Sequence, residues 1–275
     1  MRALGCLPFL NVKPLSYSLE RGGLPEGWRL RYAPPSHLAD MLRSGKICGA
    51  PVSSFACLEN PDLRIVPDIC IASRGPVRSV LMFSRKPVSD IRSVAIDSGS
   101  LSGAAMLRII LAEQYHVSPE FAAAEPDLML MLAAHDAALL LGNRAMEAAA
   151  VTDGGLCVTD LGAEWFQLTG LPAVFAVWAV TPSAPLSELI PILIDSKRQG
   201  MRNLQDIARA ESATTGLSYE GCLDYLRNIM VYDLGPPEME GLRAFAAKSL
   251  EHGLLDQPAD LRFAHVETEI GGRTR

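Results

Sequence analysis

The sequence has no block of clustered basic residues. Its 275 residues carry 25 Lys and Arg against 31 Asp and Glu, which gives a formal net charge of −6 at pH 7. Because binding to nucleic acid or to an anionic membrane depends on clustered positive charge, we expect neither partner. The net charge does not exclude a small anionic ligand, since a local pocket can be positive inside an acidic protein.

Long apolar runs and metal-binding motifs are missing as well. No stretch approaches the roughly 20 apolar residues of a membrane span, and Pro8 interrupts the only apolar run near Met1 that resembles a secretory signal. The six cysteines include no C-x-x-C pair, and the five histidines do not fall at metal-ligand spacing. We therefore expect a soluble, cytoplasmic protein with reduced thiols and no metal. The sequence leaves open whether it forms a homodimer.

The arrangement of apolar residues, 49% of the chain, favours an α/β fold. Short apolar runs such as Ala3–Leu7 and Val174–Val180 alternate with longer amphipathic segments. This pattern predicts two lobes, each a mostly parallel sheet flanked by helices, that close on a ligand like a clamshell. The predicted lobes are residues 1–89 together with 181–275, and residues 90–180, so the chain would cross twice.

Candidate binding segments follow the predicted strands. In open parallel sheets, ligands bind beyond the carboxyl ends of the strands, where loops enter helix N-termini. Four segments fit this rule: residues 8–11, 52–54, 98–103 and 142–143. The segment 98–103 is the strongest, because three serines and two glycines before a helix offer hydroxyl and backbone N–H groups to an anion. An ordinary serine cap explains it equally well, and it matches neither a nucleophile elbow nor a P-loop.

Several single residues allow both a structural and a functional interpretation. Asn11 fits a helix cap, and Ser79 fits a polar position in a half-buried strand. Arg78 is a candidate partner for a carboxylate, although most such arginines lie in solvent. Asp97 and Asp160 follow apolar runs and suit helix caps as well as bases. From the residues alone, the sequence predicts a two-lobed protein for a small anion.

Six blocks of sequence, which are specific only when taken together, resemble one known family. They are FLNVKPL at 9–15, IASRGPVRSV at 71–80, DSGSLS at 97–102, ALLLGNRA at 138–145, DLGAEW at 160–165 and TGLPAVFAVW at 169–178. Over roughly residues 3–250, the chain is similar to the chorismate dehydratase family of menaquinone biosynthesis, which acts first in the futalosine route.

The resemblance implies a periplasmic-binding-protein type II fold used as an enzyme. The implied reaction eliminates water from chorismate to give 3-[(1-carboxyvinyl)oxy]benzoate, without a metal or an organic cofactor. By similarity, the family's catalytic asparagine and serine fall on Asn11 and Ser79. We assign substrate binding to Arg78, from the loop 74–79 that would form a fifth wall of the cleft, and to residues of the four cleft segments: Ser53, Ser100, Ser102, Gly103, Gly142 and Asn143. Among these, the Ser100 and Ser102 side chains and the Gly103 N–H are expected to hold one carboxylate.

The chain also departs from the family pattern around the expected pocket. Asn143 stands where aspartate is expected, Ala173 stands where phenylalanine is usual, and Leu101 and Gly103 loosen the serine-rich loop. No Asp, Glu or His stands out as a general base. The hypothesis that follows is that the enolpyruvyl carboxylate of the substrate removes the ring proton itself.

Two alternatives share the expected fold. The sister enzyme 1,4-dihydroxy-6-naphthoate synthase opens with a segment like S-P-C-P-N-D-T, which is absent here. A non-catalytic cytoplasmic binding protein or sensor for a small carboxylate would bind its ligand without turnover. No helix-turn-helix pattern precedes the lobes, which disfavours a fused transcription regulator.

Overall fold

The computed structural model describes residues 2–152 and 154–265. Its strands form two sheets of five strands each, and helices flank both sheets. The predicted α/β class is therefore confirmed. Within the described residues, no helix is both long enough and apolar enough to cross a membrane.

The first sheet has the strand order β2-β1-β3-β10-β4. Its strands are β1 (Arg2–Cys6), β2 (Trp28–Tyr32), β3 (Gly49–Ser53), β4 (Arg64–Ser73) and β10 (Ala173–Val180). Strand β1 runs parallel to β2 and β3, whereas β10 lies antiparallel between β3 and β4. Because β10 is covered on both faces, it reads as an almost unbroken apolar run.

The second sheet has the order β7-β6-β8-β5-β9. Its strands are β5 (Val80–Ser84), β6 (Ser93–Asp97), β7 (Glu120–Ala124), β8 (Ala137–Leu141) and β9 (Cys157–Asp160). Strand β6 pairs in parallel with β7 and β8, and β5 pairs antiparallel with β8 and β9. Each sheet thus combines two parallel with two antiparallel pairings. The expectation of mostly parallel sheets is wrong in this detail, because β10 and β5 enter antiparallel.

The helices fill the connections between the strands. They are α1 (Lys13–Ser16), α2 (Pro35–Arg43), α3 (Ser54–Glu59), α4 (Ser102–Glu113), α5 (Leu128–Ala134), α6 (Asn143–Val151), α7 (Leu161–Thr169), α8 (Leu186–Arg202), α9 (Leu204–Ser212), α10 (Tyr219–Asp224) and α11 (Pro236–Glu251). A 3₁₀ turn spans Leu10–Val12, and a π-helical turn spans Tyr225–Ile229 directly after α10.

The chain changes sheets through β5 and β10. Strand β5 belongs to the second sheet although it precedes residue 90, and β10 belongs to the first sheet although it precedes residue 181. The chain therefore passes between the sheets at residues 74–79 and 161–172, earlier than the predicted crossings at 90 and 180. The division of the chain into lobes at those two limits stays a prediction.

Helix α7 has both of its ends fixed by the sequence. The carboxylate of Asp160 caps its first turn by accepting hydrogen bonds from the N–H groups of Gly162 and Ala163, at 2.9 and 3.1 Å. The helix ends at Gly170, whose φ of 70° is the left-handed conformation of a helix C-cap. Between these ends, Trp165 is fully buried. The second crossing is thereby anchored in the core.

Candidate active site

A cavity of about 90 Å³ lies between the two sheets. Seven of the nine predicted site residues line it: Asn11, Ser53, Ser79, Ser100, Ser102, Gly103 and Gly142. Apolar side chains, among them those of Phe9, Ile71, Val80, Leu141 and Phe175, supply the rest of the wall. Apolar walls with a few converging polar groups are typical of a small-molecule site. We call this space the inner cavity.

Asn11 enters the inner cavity from the 3₁₀ turn that follows β1. The turn is fixed from the other sheet, because the Leu10 N–H donates to Oδ1 of Asn143 at 3.1 Å. Asn11 does not cap a helix, since the N-cap residue of α1 is Val12 and no side chain bonds there. Among the described residues, Oδ1 of Asn11 is buried without a hydrogen-bond partner. That oxygen is free to accept a hydrogen bond from a ligand.

Ser79 is almost fully buried on the first crossing between the sheets. Its Oγ accepts a hydrogen bond from the phenol of Tyr225 at 2.7 Å, and its carbonyl accepts from the Gly142 N–H at 2.7 Å. The loop before it is held by the Asp160 carboxylate, which accepts from the N–H groups of Val77 and Arg78 at 2.7 to 3.0 Å. Ser79 therefore has a fixed position at the cavity wall.

Arg78 does not line the inner cavity. Its backbone adopts a left-handed φ of 60°, and its guanidinium pairs with the Asp224 carboxylate at 2.6 Å on the exposed surface. In this arrangement Arg78 fastens the crossing to the end of α10. Its predicted contact with the substrate has no support from this geometry.

The serines of the two sheets cap each other's helices. The Ser53 Oγ accepts from the Ser102 N–H at 3.1 Å, and the Ser102 Oγ accepts from the Phe55 N–H at 3.1 Å. The two hydroxyls lie 2.7 Å apart, and Ser54 contributes a third hydroxyl 2.9 Å from that of Ser102. The hydroxyl of Ser102 is thus engaged in joining α3 to α4, and fewer of its hydrogen-bonding positions remain for a carboxylate.

Ser100 is placed differently from Ser102. Its Oγ is buried and, among the described residues, has no hydrogen-bond partner. It lies so close to Gly103 that a Cβ on Gly103 would approach Ser100 Oγ to 2.6 Å and Val80 Cγ1 to 3.0 Å. Glycine at 103 therefore lets the Ser100 hydroxyl reach the first turn of α4. Together with the positive end of that helix, this corner suits an anionic oxygen.

Comparison with known proteins decides the family. A family model described as menaquinone biosynthesis matches residues 2–251. The chain belongs to this family. A curated relative, the chorismate dehydratase of Thermus thermophilus, is 34% identical over 259 residues, which cover 88% of this chain and 93% of the relative. The resemblance seen in the sequence is thereby confirmed.

Solved structures share the fold of this menaquinone-biosynthesis family member at low sequence identity. A protein from Archaeoglobus fulgidus gives a TM-score of 0.73 at 15% identity, over 92% of this chain and 98% of its own. The alkanesulfonate-binding protein SsuA from Xanthomonas axonopodis pv. citri, bound to MOPS, gives 0.70 at 16% identity, over 94% and 96%. At such identities the likeness concerns the fold alone. It confirms the predicted periplasmic-binding-protein-like fold.

In this family member, Gly142 and Asn143 shape the edge of the inner cavity. Gly142 has a φ of 67°, and a Cβ there would come within 3.2 Å of the Phe9 ring, so the position favours glycine. Asn143 does not line the cavity; its side chain holds the turn of Asn11 from behind. An asparagine can serve there because the contact needs only a neutral acceptor.

The described lining of the inner cavity contains no ionisable side chain. An outer cavity of about 580 Å³ adjoins it and shares Phe9, Pro35, Gly99 and Leu141 with it. Ionisable side chains line this outer cavity, among them those of His37, Asp97, Glu125 and Arg144. Burial raises the pKa of Asp97 above its ordinary value, against the opposing effects of the Gly99 N–H and of Arg144. The carboxylate, imidazole and guanidinium groups nearby therefore line the outer cavity and not the described lining of the inner one.

Two structural partners of the site were not predicted from the sequence. Tyr225 lies within the run Ser218–Arg227, which reads as an ordinary amphipathic helix, so its contact with Ser79 has no local signal. In the sequence Asp160 suits a helix cap as well as a base, and its bonds to the loop before Ser79 depend on the packing of the two crossings. Both residues act on Ser79 from more than 80 positions away in sequence.

Proposed function

We propose that this chain is a chorismate dehydratase, which eliminates water from chorismate to give 3-[(1-carboxyvinyl)oxy]benzoate. The observation that carries the proposal is the inner cavity, where Asn11 and Ser79 from one side meet Ser100 and the start of α4 from the other. The curated relative with that name supports it, being 34% identical over 88% of this chain. The site residues named here are part of the proposal.

The first chemical demand is to stabilise the charge that forms when the ring proton leaves. That proton is vinylogous to the ring carboxylate, so its removal pushes negative charge into the carboxylate. Fixed donors around those oxygens lower the barrier because they need no reorganisation. In our proposal Ser100 and the N-terminal turn of α4 supply them.

The second demand is a base. The inner cavity, as far as the structure describes it, is lined by no carboxylate or imidazole. The enolpyruvyl carboxylate of the bound substrate takes the ring proton and then gives it to the departing hydroxyl, so that water leaves and the ring becomes aromatic. Asn11 and Ser79 hold the reacting edge in the geometry that this transfer needs.

The two-lobed arrangement belongs to the proposal. Closing the cleft between the sheets would exclude bulk water and bring Asn11 and Ser53, which follow strands of the first sheet, against Ser100 and Ser102 at the start of α4. With the activity we retain the expectation of a cytoplasmic enzyme that binds neither nucleic acid nor membranes. A homodimer is compatible with it.

The test is to incubate the purified protein with chorismate and identify the products by mass spectrometry and proton NMR. The proposal predicts a product one water lighter than chorismate, with aromatic ring protons and an intact carboxyvinyl group. Tight binding of chorismate without this product would favour a sensor. If the protein neither binds chorismate nor forms this product, the result would favour the 1,4-dihydroxy-6-naphthoate synthase activity or a site for another small anion.

A further inference from the structure

Tyr225 is a fully buried phenol at the back of the inner cavity. Its side chain is 1% exposed, and it begins the π-helical turn Tyr225–Ile229 that follows α10. Single π turns inside helical segments occur frequently at functional sites. The phenol oxygen lies 2.7 Å from Ser79 Oγ and donates its proton to it.

The protonation state of this phenol is fixed by its surroundings. Burial raises the pKa of Tyr225 far above its usual value of 10, although Ser79 and Asn11 both act in the opposite direction. Burial thus favours the neutral phenol, which is the form that donates to Ser79.

A donor on one side of a serine hydroxyl decides where the serine proton points. A hydroxyl has one proton and two acceptor lone pairs. Since the Tyr225 phenol occupies one lone pair of Ser79, the Ser79 proton is directed to another acceptor. Ser79 lines the inner cavity, so its proton is available to an oxygen of a ligand placed there.

We propose that Tyr225 is a positioning residue that turns Ser79 into a hydrogen-bond donor toward a substrate oxygen. The inference rests on the proposed dehydratase function, in which that oxygen is the hydroxyl that leaves. Donation from Ser79 offsets the charge that develops as the carbon–oxygen bond breaks, and the proton that completes the water molecule still comes from the substrate. Tyr225 itself touches no reacting atom.

A neighbouring ion pair helps to hold Ser79 and Tyr225 in place relative to each other. Arg78 and Ser79 are consecutive in the crossing, and Asp224 and Tyr225 are consecutive at the end of α10. Arg78 pairs with Asp224 at 2.6 Å, while Tyr225 pairs with Ser79 at 2.7 Å. Two adjacent contacts of this kind restrain rotation of the crossing relative to the helix more than one contact would. The donor position of Ser79 is thereby restrained.

The chain offers a matched control in Tyr232. This tyrosine is 2% exposed, and its hydroxyl has no hydrogen-bond partner among the described residues. Replacing either tyrosine with phenylalanine removes one buried hydroxyl and keeps the ring. Only the change at Tyr225 removes a contact with Ser79, so an effect on packing and an effect on Ser79 can be separated.

The experiment compares wild type, Tyr225→Phe, Tyr232→Phe, Ser79→Ala and the double variant Tyr225→Phe/Ser79→Ala in steady-state turnover of chorismate. We expect Tyr225→Phe to lower kcat about ten- to a hundredfold, as the loss of one oriented donor does, with KM changed less than about threefold. Tyr232→Phe keeps the wild-type kcat. The double variant turns over no more slowly than Ser79→Ala, because Tyr225 acts through Ser79. Thermal unfolding confirms that every variant is folded.

The outcomes separate this inference from the proposed function. A wild type without turnover overturns the proposed function and this inference with it. If the wild type turns chorismate over, two results overturn the inference alone. One is a Tyr225→Phe variant with the wild-type kcat, and the other is an equal loss of kcat in both tyrosine variants. The inference is also overturned if Tyr225→Phe lowers kcat in the Ser79→Ala background by the same factor as in the wild type.

Discussion

At the scale of single residues, the inner cavity contains buried polar atoms that have no hydrogen-bond partner among the described residues. Oδ1 of Asn11 and Oγ of Ser100 are both buried in this state among the described residues. Leaving such a group unpaired costs about 1–3 kcal/mol. A ligand that pairs with both atoms recovers part of that cost. The sequence predicted these residue types, but their unpaired state follows only from packing.

Replacing Gly103 with alanine should disturb the site that we assign to an anionic oxygen, formed by Ser100 Oγ and the first turn of α4. The new Cβ would meet Ser100 Oγ at 2.6 Å and Val80 Cγ1 at 3.0 Å, so the serine has to move. We expect kcat/KM for chorismate to fall about tenfold or more, because small displacements of an oriented donor are costly. Gly216→Ala, whose Cβ meets only Glu147 Cγ at 3.7 Å, is the control. Equal kinetics in the two variants would contradict this assignment.

Replacing Asp97 with asparagine tests whether the protein supplies the base. Asn keeps an oxygen that can accept from the Gly99 N–H, as Asp97 does at 2.9 Å. Since the substrate carboxylate is the base in our proposal, kcat should stay within about threefold of wild type. General bases contribute roughly a hundredfold or more. A folded variant that binds chorismate normally and has lost turnover would assign the base to Asp97.

At the scale of secondary structure, the sequence is most informative where caps and periodicity agree. In α7, an aspartate cap and a left-handed glycine mark the two ends, and both residues are visible in the sequence. Strands β7 and β9 were not predicted. Both are short edge strands with partly exposed residues, EFAAA and CVTD, so neither shows a buried run nor a clean alternation.

The contact between α4 and α11 should be sensitive to pH. Glu113 of α4 accepts hydrogen bonds from Lys248 and from His252, the latter at 2.8 Å. Desolvation acts against it, yet Lys248 and His252 lower the pKa of Glu113 below its ordinary value of 4.5. Its ionised form therefore stabilises the folded state above pH 4.5, and this contribution is lost as the pH falls through the lowered pKa.

Glu113→Gln should accordingly lower the free energy of unfolding by about 0.5–1 kcal/mol at pH 7. The difference from wild type should shrink as the pH falls below 4.5. Urea unfolding at several pH values measures it, and Glu26→Gln on an exposed turn serves as the control. A difference that stays constant down to pH 3 would mean that the carboxylate's charge contributes nothing.

At the scale of the whole molecule, the cavity exists because the chain passes twice between the sheets. Composition and periodicity predicted two α/β lobes around a cleft. The strands change sheets at residues 74–79 and 161–172, which local patterns do not reveal because β5 and β10 pair antiparallel with strands far away in sequence. The contact of Tyr225 with Ser79 depends on the same long-range packing, since the two positions are 146 apart in sequence. Patterns within a local window do not contain such information.

The central claim is that chorismate reacts in the inner cavity beside Asn11. A single-turnover experiment with Asn11→Ala, with enzyme in excess over chorismate, measures this most directly. The account predicts that the variant is folded and binds chorismate, while product formation slows roughly a hundredfold or more relative to wild type. The control Asn60→Ala, at the far end of α3, should keep the wild-type rate. Product formation at the wild-type rate in Asn11→Ala would contradict the account.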